Sequence, residues 1–210
     1  MHMEAAERQW EVGERPLLDA LEAALAALER ESVRVLVMGG IASAKYGRPR
    51  WTHDIDLLVR PQHARLALAA LNGAGFSTEE ADPFWLFKAF RDGILVDVIF
   101  RCQGDIFLDD EMEARARKVD FCGVPVPLIP PEDLLVIKAV VHAEHSPRHW
   151  HDALALVARA DLDWPYLLER ARHGPRRLLS LFLYAQSIDL AVPQAVLDTL
   201  WARIADRHHL

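Results

Sequence analysis

The sequence predicts an α/β (α+β) fold, in which a small mixed β-sheet core with flanking helices is followed by a C-terminal helical subdomain. Strand-like and helical segments alternate as far as residue 129. From Pro130 onward only helical patterns occur. We therefore expect an α/β core over 1–129 and a helical subdomain over 130–210. The junction between them, Ile129-Pro130-Pro131, is short, so we expect the two parts to pack together.

Each element of the predicted core has its own signal. Pro16 suits the first position of a helix, and leucines recur on one face of the residues that follow it. Apolar runs predict interior strands, and Asp92-Gly93 predicts a tight hairpin turn. We expect strands over 33–38, 54–59, 84–91 and 94–100, short strands within 119–129, and helices over 16–31, 41–47, 61–72 and 105–118.

Prolines mark the starts of the predicted C-terminal helices, because proline is tolerated in the first turn of a helix. We expect helices over 131–145, 147–160, 164–173, 175–190 and 193–207.

The composition is that of an ordinary globular protein. The chain has 210 residues, 51% of them hydrophobic and 26% charged, which is enough for a substantial core. Cys102 and Cys122 lack metal-type spacing, so we expect reduced thiols. The net charge of −7 argues against broad, sequence-independent binding of nucleic acid. An apolar signal segment and a membrane-spanning run are both lacking, which predicts a cytoplasmic protein that does not enter a membrane.

Asp54 and Asp56 are the first candidate functional residues. Side chains alternate across a strand, so these two carboxylates emerge on the same face. Their neighbours in the strand are apolar, which argues against a merely solvated strand edge. Two adjacent like charges repel each other unless a cation lies between them. Oxygen ligands suit Mg²⁺, or Mn²⁺ in its place, and so we expect a divalent metal here.

Asp97 is the lone acid in the apolar run Ile94–Phe100. A carboxylate buried without a partner is costly, so its position calls for a metal, an arginine or a hydrogen-bond cluster. If this strand lies beside 54–59, Asp97 joins the aspartate pair. Such a trio of acids can hold metal, and the third acid can draw a proton from an incoming hydroxyl.

Gly39 and Gly40 end a predicted strand and precede a short helix. Glycine lets the backbone approach a phosphate closely, and a helix N-terminus offers N–H groups to an anion. Ser43 could add a hydrogen bond to the same phosphate; otherwise it is a helix-surface serine. Gly-Gly alone could be a plain turn. Followed by Asp-x-Asp on the next strand, it favours transfer of a nucleotidyl group from a nucleoside triphosphate (NTP).

The string VMGG, followed after residues 41–53 by DIDLLV, resembles the signature of the DNA polymerase β-like nucleotidyltransferase superfamily. The longer stretch GGIASAKYGRPRWTHDIDLLV is similar to a bacterial branch that includes AbiEii-type toxin nucleotidyltransferases. LIPPEDLLVIKAVV, Arg148 and Asp152 also resemble that branch. The resemblance covers about residues 33–160. It implies a nucleotidyltransferase-like core over 1–129, with Asp54 and Asp56 as metal ligands and Asp97 as the third acid.

Further candidates surround this motif. Arg50 and Thr52 match positions that the resembling branch often keeps, which implies a triphosphate clamp at Arg50 and a supporting role for Thr52 behind the aspartates. Lys138, in an apolar helix, is a candidate for nucleotide binding, and Lys88 is one for phosphate binding. Asp152 is a candidate supporting or substrate-side acid.

The histidine-rich run HAEHSPRHWHD has no recognised metal-binding spacing. We therefore interpret His142, His145, His149 and His151 as residues at helix ends.

The sequence thus favours a metal-dependent nucleotidyltransferase that moves NMP from an NTP to a hydroxyl-type acceptor and releases pyrophosphate. By resemblance the acceptor is a tRNA end, a protein or a small molecule such as an antibiotic, and an antitoxin is an expected partner if the protein is a toxin. The acidic charge favours an acceptor other than nucleic acid. The alternatives are a non-catalytic interaction module of the same fold and, from another class, a glycosyltransferase or phosphohydrolase that uses Asp-x-Asp for metal.

Overall fold

The structure is a computed structural model that describes residues 15–49 and 52–206. Its strands are β1 (Val35–Val37), β2 (Asp54–Val59), β3 (Ser77–Asp82), β4 (Leu86–Arg91), β5 (Ile94–Ile99), β6 (Arg117–Phe121) and β7 (Val124–Leu128). Its α-helices are α1 (Arg15–Arg30), α2 (Gly39–Tyr46), α3 (Ala64–Gly73), α4 (Asp110–Arg115), α5 (Pro131–Val141), α6 (Arg148–Arg159), α7 (Trp164–Arg170), α8 (Pro175–Ser187) and α9 (Gln194–Asp206). The predicted α/β class is confirmed.

The residues group into two compact units. Of the described residues, the sheet unit takes those within 1–45, 49–101 and 107–129, and the helical unit takes those within 46–48, 102–106 and 130–210. Two short segments of the first half of the chain thus belong with the helices. One reason is a hydrogen bond of 2.9 Å that Arg159 donates to the carbonyl of Gly47. The division into domains at 129/130 stays a prediction.

The sheet is mixed, as predicted, with the strand order β3-β4-β5-β2-β1-β7-β6. β2 runs parallel to β5, and β1 runs parallel to β7. The remaining neighbours are antiparallel. This order brings β5 directly beside β2, which meets the condition that the sequence set for joining Asp97 to the aspartate pair.

One face of the sheet unit carries its apolar core. α1 and α3 pack against each other and against the strands. Ile55 and Leu57 of β2, like Val96 and Val98 of β5, are fully buried. Since side chains alternate along a strand, the residues between them lie on the opposite face. That opposite face holds the aspartates.

Both tight hairpins follow from their turn residues. Asp92 and Gly93 join β4 to β5 with φ of 52° and 79°, and Cys122 and Gly123 join β6 to β7 with φ of 52° and 88°. Two successive residues of positive φ match the twist of the flanking strands, which favours glycine at the second position. The predicted turn at Asp92-Gly93 is confirmed.

Two elements of the sheet unit differ from the sequence prediction. Strand β3, with the sequence STEEAD, was not predicted, because it is a polar edge strand that owes its structure to pairing with β4. The helix expected over 105–118 is wrong at both ends. Only Asp110–Arg115 is α-helical, with the Asp109 side chain capping the N–H of Met112. Arg117 already pairs with Leu128 in the sheet, and this strand pairing overrides the helical pattern.

The helical unit is organised around α5. Every residue of α5 from Pro131 to Val140 is buried, and α6, α7 and α8 all contact this helix. The five helices start close to their predicted positions, but α5 ends at Val141, before the expected residue 145. Among the residues that the structure describes, no helix is both long and apolar enough to cross a membrane.

Candidate active site

Asp56 and Asp97 face each other across two parallel strands. The register of β2 and β5 sets Asp56 opposite Asp97, and Asp54 opposite Leu95. Since neighbouring strands lie about 4.8 Å apart, side chains that are opposite each other on one face can act on one ligand. Asp54 lies on the same face, two residues before Asp56. All three side chains are partly exposed. The fold thus gathers the three predicted acids.

Thr52 positions the first of these acids. Its side chain is buried, and its hydroxyl lies 2.5 Å from Oδ1 of Asp54 and 3.3 Å from the Asp54 carbonyl oxygen. The hydroxyl donates to the carboxylate and so restricts its rotation. The supporting role predicted for Thr52 toward a ligand stays a prediction.

The two glycines make room for these side chains. Gly39 has a φ of +60°, and a Cβ atom built on it would lie 1.6 Å from Oδ2 of Asp56. A Cβ atom on Gly40 would lie 2.3 Å from the hydroxyl oxygen of Thr52. Any larger residue would therefore displace Asp56 or Thr52 from its place. This need for space is separate from the predicted phosphate cradle, and the sequence did not reveal it.

Ser43 is buried one turn into α2. Its hydroxyl donates a hydrogen bond of 2.7 Å to the carbonyl of Gly39. This bond ties the helix to the glycine beside Asp56. Phosphate oxygens accept hydrogen bonds, so a contact from Ser43 to a phosphate would require the hydroxyl to give up its bond to Gly39. Its predicted nucleotide role stays a prediction.

Lys88 faces Asp97 from the other side of β5. The two residues are opposite each other in the antiparallel register of β4 and β5, and Nζ lies 3.5 Å from Oδ1 of Asp97. Burial raises the pKa of Asp97 above its ordinary value; the positive charge of Lys88 opposes this shift, and the negative charge of Asp54 adds to it. A carboxyl group with a raised pKa is better suited to take a proton.

The donors on this face fit a divalent metal in their chemistry. Carboxylate oxygens are the ligands that Mg²⁺ prefers, and Oδ1 of Asp97 is buried without a hydrogen-bond partner. Within 15–49 and 52–206, however, no three His, Cys, Asp or Glu side chains converge closely enough to form a ready metal site. A bound ion would have to compete with Lys88 for Asp97.

Other predicted residues lie in the helical unit. Lys138 and Asp152 are buried, and Nζ of Lys138 lies 3.1 Å from Oδ2 of Asp152. Arg48 approaches Oδ1 of Asp152 to 3.9 Å. Lys138 and Asp152 thus form an ion pair with each other, and their predicted roles toward a nucleotide stay predictions. Arg50 lies outside the described residues.

The histidine-rich segment contains an aromatic cluster. The ring of His142 lies 4.9 Å from that of Trp150, which lies 5.9 Å from the ring of Tyr184. Ala143 and Ser146 form an isolated β-bridge between α5 and α6. These contacts explain why α5 ends before the other histidines.

The pairing of Lys88 with Asp97 went unnoticed in the sequence, although a signal for it was present. A two-residue turn at Asp92-Gly93 sets Arg91 opposite Ile94. Counting three residues back along one strand and three forward along the other then sets Lys88 opposite Asp97. The predicted hairpin therefore already contained this ion pair.

Comparison with known proteins decides the family. A family model described as an uncharacterised nucleotidyltransferase matches residues 1–203. The chain belongs to this nucleotidyltransferase family. The match spans almost the whole chain, so the protein is a nucleotidyltransferase, as the sequence predicted. A search of curated proteins finds no relative of this nucleotidyltransferase.

Solved structures resemble this nucleotidyltransferase in fold. An antigenic nucleotidyltransferase-like protein from Paracoccidioides brasiliensis is 16% identical, with 86% of this chain and 92% of that chain covered and a TM-score of 0.53. The antibiotic-resistance factor ANT(2'')-Ia is 17% identical, with 92% and 95% covered and a TM-score of 0.49. The lincosamide antibiotic adenylyltransferase LnuA is 16% identical, with 66% and 94% covered and a TM-score of 0.46. The first of these likenesses supports the nucleotidyltransferase fold.

Proposed function

We propose that this nucleotidyltransferase moves NMP from an NTP to a hydroxyl-type acceptor, with release of pyrophosphate, in a metal-dependent reaction at Asp54, Asp56 and Asp97. The observation that carries the proposal is the parallel register of β2 and β5, which sets Asp56 opposite Asp97 on the face that also holds Asp54. Ile55 and Leu57 of β2, which point to the other face, are fully buried, whereas the three acids are partly exposed.

The backbone at Gly39 and Gly40 is proposed to receive the triphosphate. Gly39 begins α2 directly beside Asp56, so N–H groups at the start of this helix lie close to the acids. Such groups attract phosphate oxygens. Arg50, Ser43 and Lys138 are proposed to add nucleotide contacts.

The three aspartates would hold Mg²⁺, or Mn²⁺, together with the NTP. The bound ion supplies positive charge that offsets the charge of the triphosphate. The contact from Thr52 supports Asp54 in this role, because groups that orient a ligating carboxylate raise its effectiveness. Asp152 is proposed as a supporting acid.

Asp97 is proposed to accept the proton of the acceptor hydroxyl. The hydroxyl oxygen forms a bond to the α-phosphorus, the bond from that phosphorus to the bridging oxygen of the β-phosphate breaks, and pyrophosphate leaves with the bonding electrons. The place of Asp97 opposite Asp56 supports this role, because a general base must lie close to the proton that it accepts.

For the acceptor we favour a hydroxyl compound that is not a nucleic acid. The net charge of −7 supports this choice, since nucleic-acid binding depends on neutralising phosphates. A small molecule such as an antibiotic is then the first class to test. A toxin of the AbiEii type, acting on a tRNA end or a protein and held by an antitoxin, is the second candidate, supported by LIPPEDLLVIKAVV and the residues after it.

The test is transfer of label from NTPs that carry a labelled α-phosphate. Each of the four common NTPs is incubated with Mg²⁺ and with hydroxyl-bearing antibiotics, tRNA or protein, and both labelled acceptor and pyrophosphate are measured. We expect transfer to one acceptor class by the wild type and none by the Asp54→Asn/Asp56→Asn variant. Pyrophosphate release that is equal in the two proteins, or absent with every NTP and acceptor, would overturn the proposal.

A further inference from the structure

A row of ionisable residues crosses four strands of the sheet. Glu79 of β3 is opposite Lys88 of β4, Lys88 is opposite Asp97 of β5, and Asp97 is opposite Asp56 of β2. Residues that are opposite each other in register lie on the same face. Lys88 thus lies between two acids, one on each side, at the end of the row that approaches the proposed metal site.

Lys88 pairs with the inner of these two acids. Its ammonium lies 3.5 Å from Oδ1 of Asp97, and within the described part of the chain no ion pair joins it to Glu79. Glu79 is exposed, whereas the Asp97 side chain retains only 17% of its accessible surface. An ion pair is stronger where less water surrounds it, so the less exposed carboxylate of Asp97 attracts the lysine more strongly than that of Glu79 does.

The carboxylate of Asp97 is also one of the proposed metal ligands. Oδ1 of Asp97, the atom nearest to Lys88, is buried and makes no hydrogen bond. The 3.5 Å separation is too long for a strong hydrogen bond. The ammonium therefore lies near enough to compensate the charge of Asp97 but does not bind it tightly, and it remains partly exposed with a route to solvent.

From this geometry, and resting on the proposed function, we infer that Lys88 is a positioning residue that holds Asp97 in the metal-free enzyme and competes with the divalent ion for it. A cation that binds Asp97 must first displace, or lie beside, the positive charge of Lys88. Lys88 thereby weakens the binding of metal alone. The displaced ammonium stays on the face of the sheet that holds Gly39 and the other acids, where it can approach the phosphates of an incoming nucleotide.

The experiment is a titration of Mn²⁺ into the full-length protein without nucleotide, in which the electron paramagnetic resonance signal reports free Mn²⁺. The variants are Lys88→Met, which removes the charge, and Lys88→Arg, which keeps it. Lys118→Met is the matched control, because Lys118 is an exposed strand lysine in β6, at the opposite edge of the same sheet. Circular dichroism checks the fold of each variant, and Lys88→Gln replaces Lys88→Met if that variant does not fold.

We expect Lys88→Met to bind Mn²⁺ about fivefold more tightly than the wild type, the size expected for loss of a partly exposed charge pair. Lys88→Arg and Lys118→Met should stay within about twofold of the wild type. Binding by Lys88→Met where the wild type shows none would support the inference equally. Unchanged or weaker binding by Lys88→Met would overturn it and leave the proposed site standing. Absence of Mn²⁺ binding from the wild type and from the Lys88 variants would overturn the inference as well, whereas the proposed function is tested separately by the transfer assay, in which metal and NTP are both present.

Discussion

Aspartates of the helical unit and of the sheet unit differ in how deeply they are buried and in how closely they are paired. In the helical unit Asp133 and Asp152 are each 1% exposed. Asp133 accepts a 2.6 Å hydrogen bond from the hydroxyl of Tyr166 and lies 2.5 Å from Nε of Arg170. In the sheet unit Asp54, Asp56 and Asp97 are partly exposed. Nζ of Lys88 lies 3.5 Å from Oδ1 of Asp97.

This difference separates acids that stabilise a fold from acids that can bind a ligand. A fully buried charge must be matched by close, well-oriented partners, since an uncompensated buried charge is very costly. A carboxylate with a longer ion pair and some access to solvent can exchange its partner for another cation. Degree of burial and closeness of pairing therefore distinguish the two groups better than residue type does.

Removing the partner of a fully buried acid should have the largest effect. Arg170→Met leaves the negative charge of Asp133 without its cation, so we expect the free energy of unfolding to fall by about 3–5 kcal/mol. Urea denaturation measures the change. Arg172→Met is the control, because Arg172 is exposed, and it should cost under about 1 kcal/mol. Equal effects of the two substitutions would contradict the comparison.

A side chain at Gly39 should affect activity more than stability. The added Cβ atom of Gly39→Ala would occupy the place of the Asp56 carboxylate, and a displacement of this size costs about a hundredfold in rate. The transfer assay gives kcat/KM, and thermal unfolding gives the stability. Gly73→Ala is the matched control, because a Cβ atom there meets nothing within 4 Å. Unaltered activity of Gly39→Ala would mean that Asp56 is not required where the structure has it.

Loss of the Thr52 hydroxyl should have a smaller effect. Thr52→Val keeps the shape of the side chain but removes the donor to Asp54, so we expect affinity for metal with NTP to fall about tenfold. Thr52→Ser should restore most of it. Thr78→Val, at a threonine of the edge strand β3, is the control. Calorimetric titration compares the four proteins, and a Thr52→Val variant that binds like the wild type would show that this hydrogen bond is unimportant.

The smallest effect concerns the stability of the metal-free protein. Burial raises the pKa of Asp97 in the folded protein. At neutral pH the ionised Asp97 carboxylate therefore lowers the free energy of unfolding. This destabilisation disappears as pH falls through the raised pKa, because the carboxyl group becomes protonated. With a chelator present, Asp97→Asn should therefore melt slightly above the wild type at pH 7, and the difference should shrink toward pH 4. A variant that melts lower at pH 7 would contradict this expectation.

The sequence predicted the elements whose signals are local. Alternation set Asp54 and Asp56 on one face, and Asp92-Gly93 set the hairpin that carries Asp97. β3 could not be predicted in this way, because its residues are polar and their strand conformation depends on β4. The helix expected over 105–118 failed for a similar reason, since pairing between β6 and β7 is a contact between separate segments.

Contacts between residues distant in sequence account for the rest of the site. The ion pair between Lys138 and Asp152 joins two helices, and the sequence suggested both residues without suggesting that they meet. The sequence likewise did not show why residue 39 is a glycine. A side chain at this position would collide with Asp56, which belongs to the neighbouring strand β2. Periodicity identifies which side chains share a face, but it does not show which of them touch.

We infer above all that Asp54, Asp56 and Asp97 bind a ligand and do not stabilise the fold. The most direct test of this claim is a calorimetric titration of NTP with Mg²⁺ into the wild type and Asp56→Asn, with the unfolding free energy of both measured in parallel. We predict that Asp56→Asn loses metal-dependent NTP binding and keeps the stability of the wild type within about 1 kcal/mol. Binding equal to that of the wild type, or a large loss of stability, would contradict the claim.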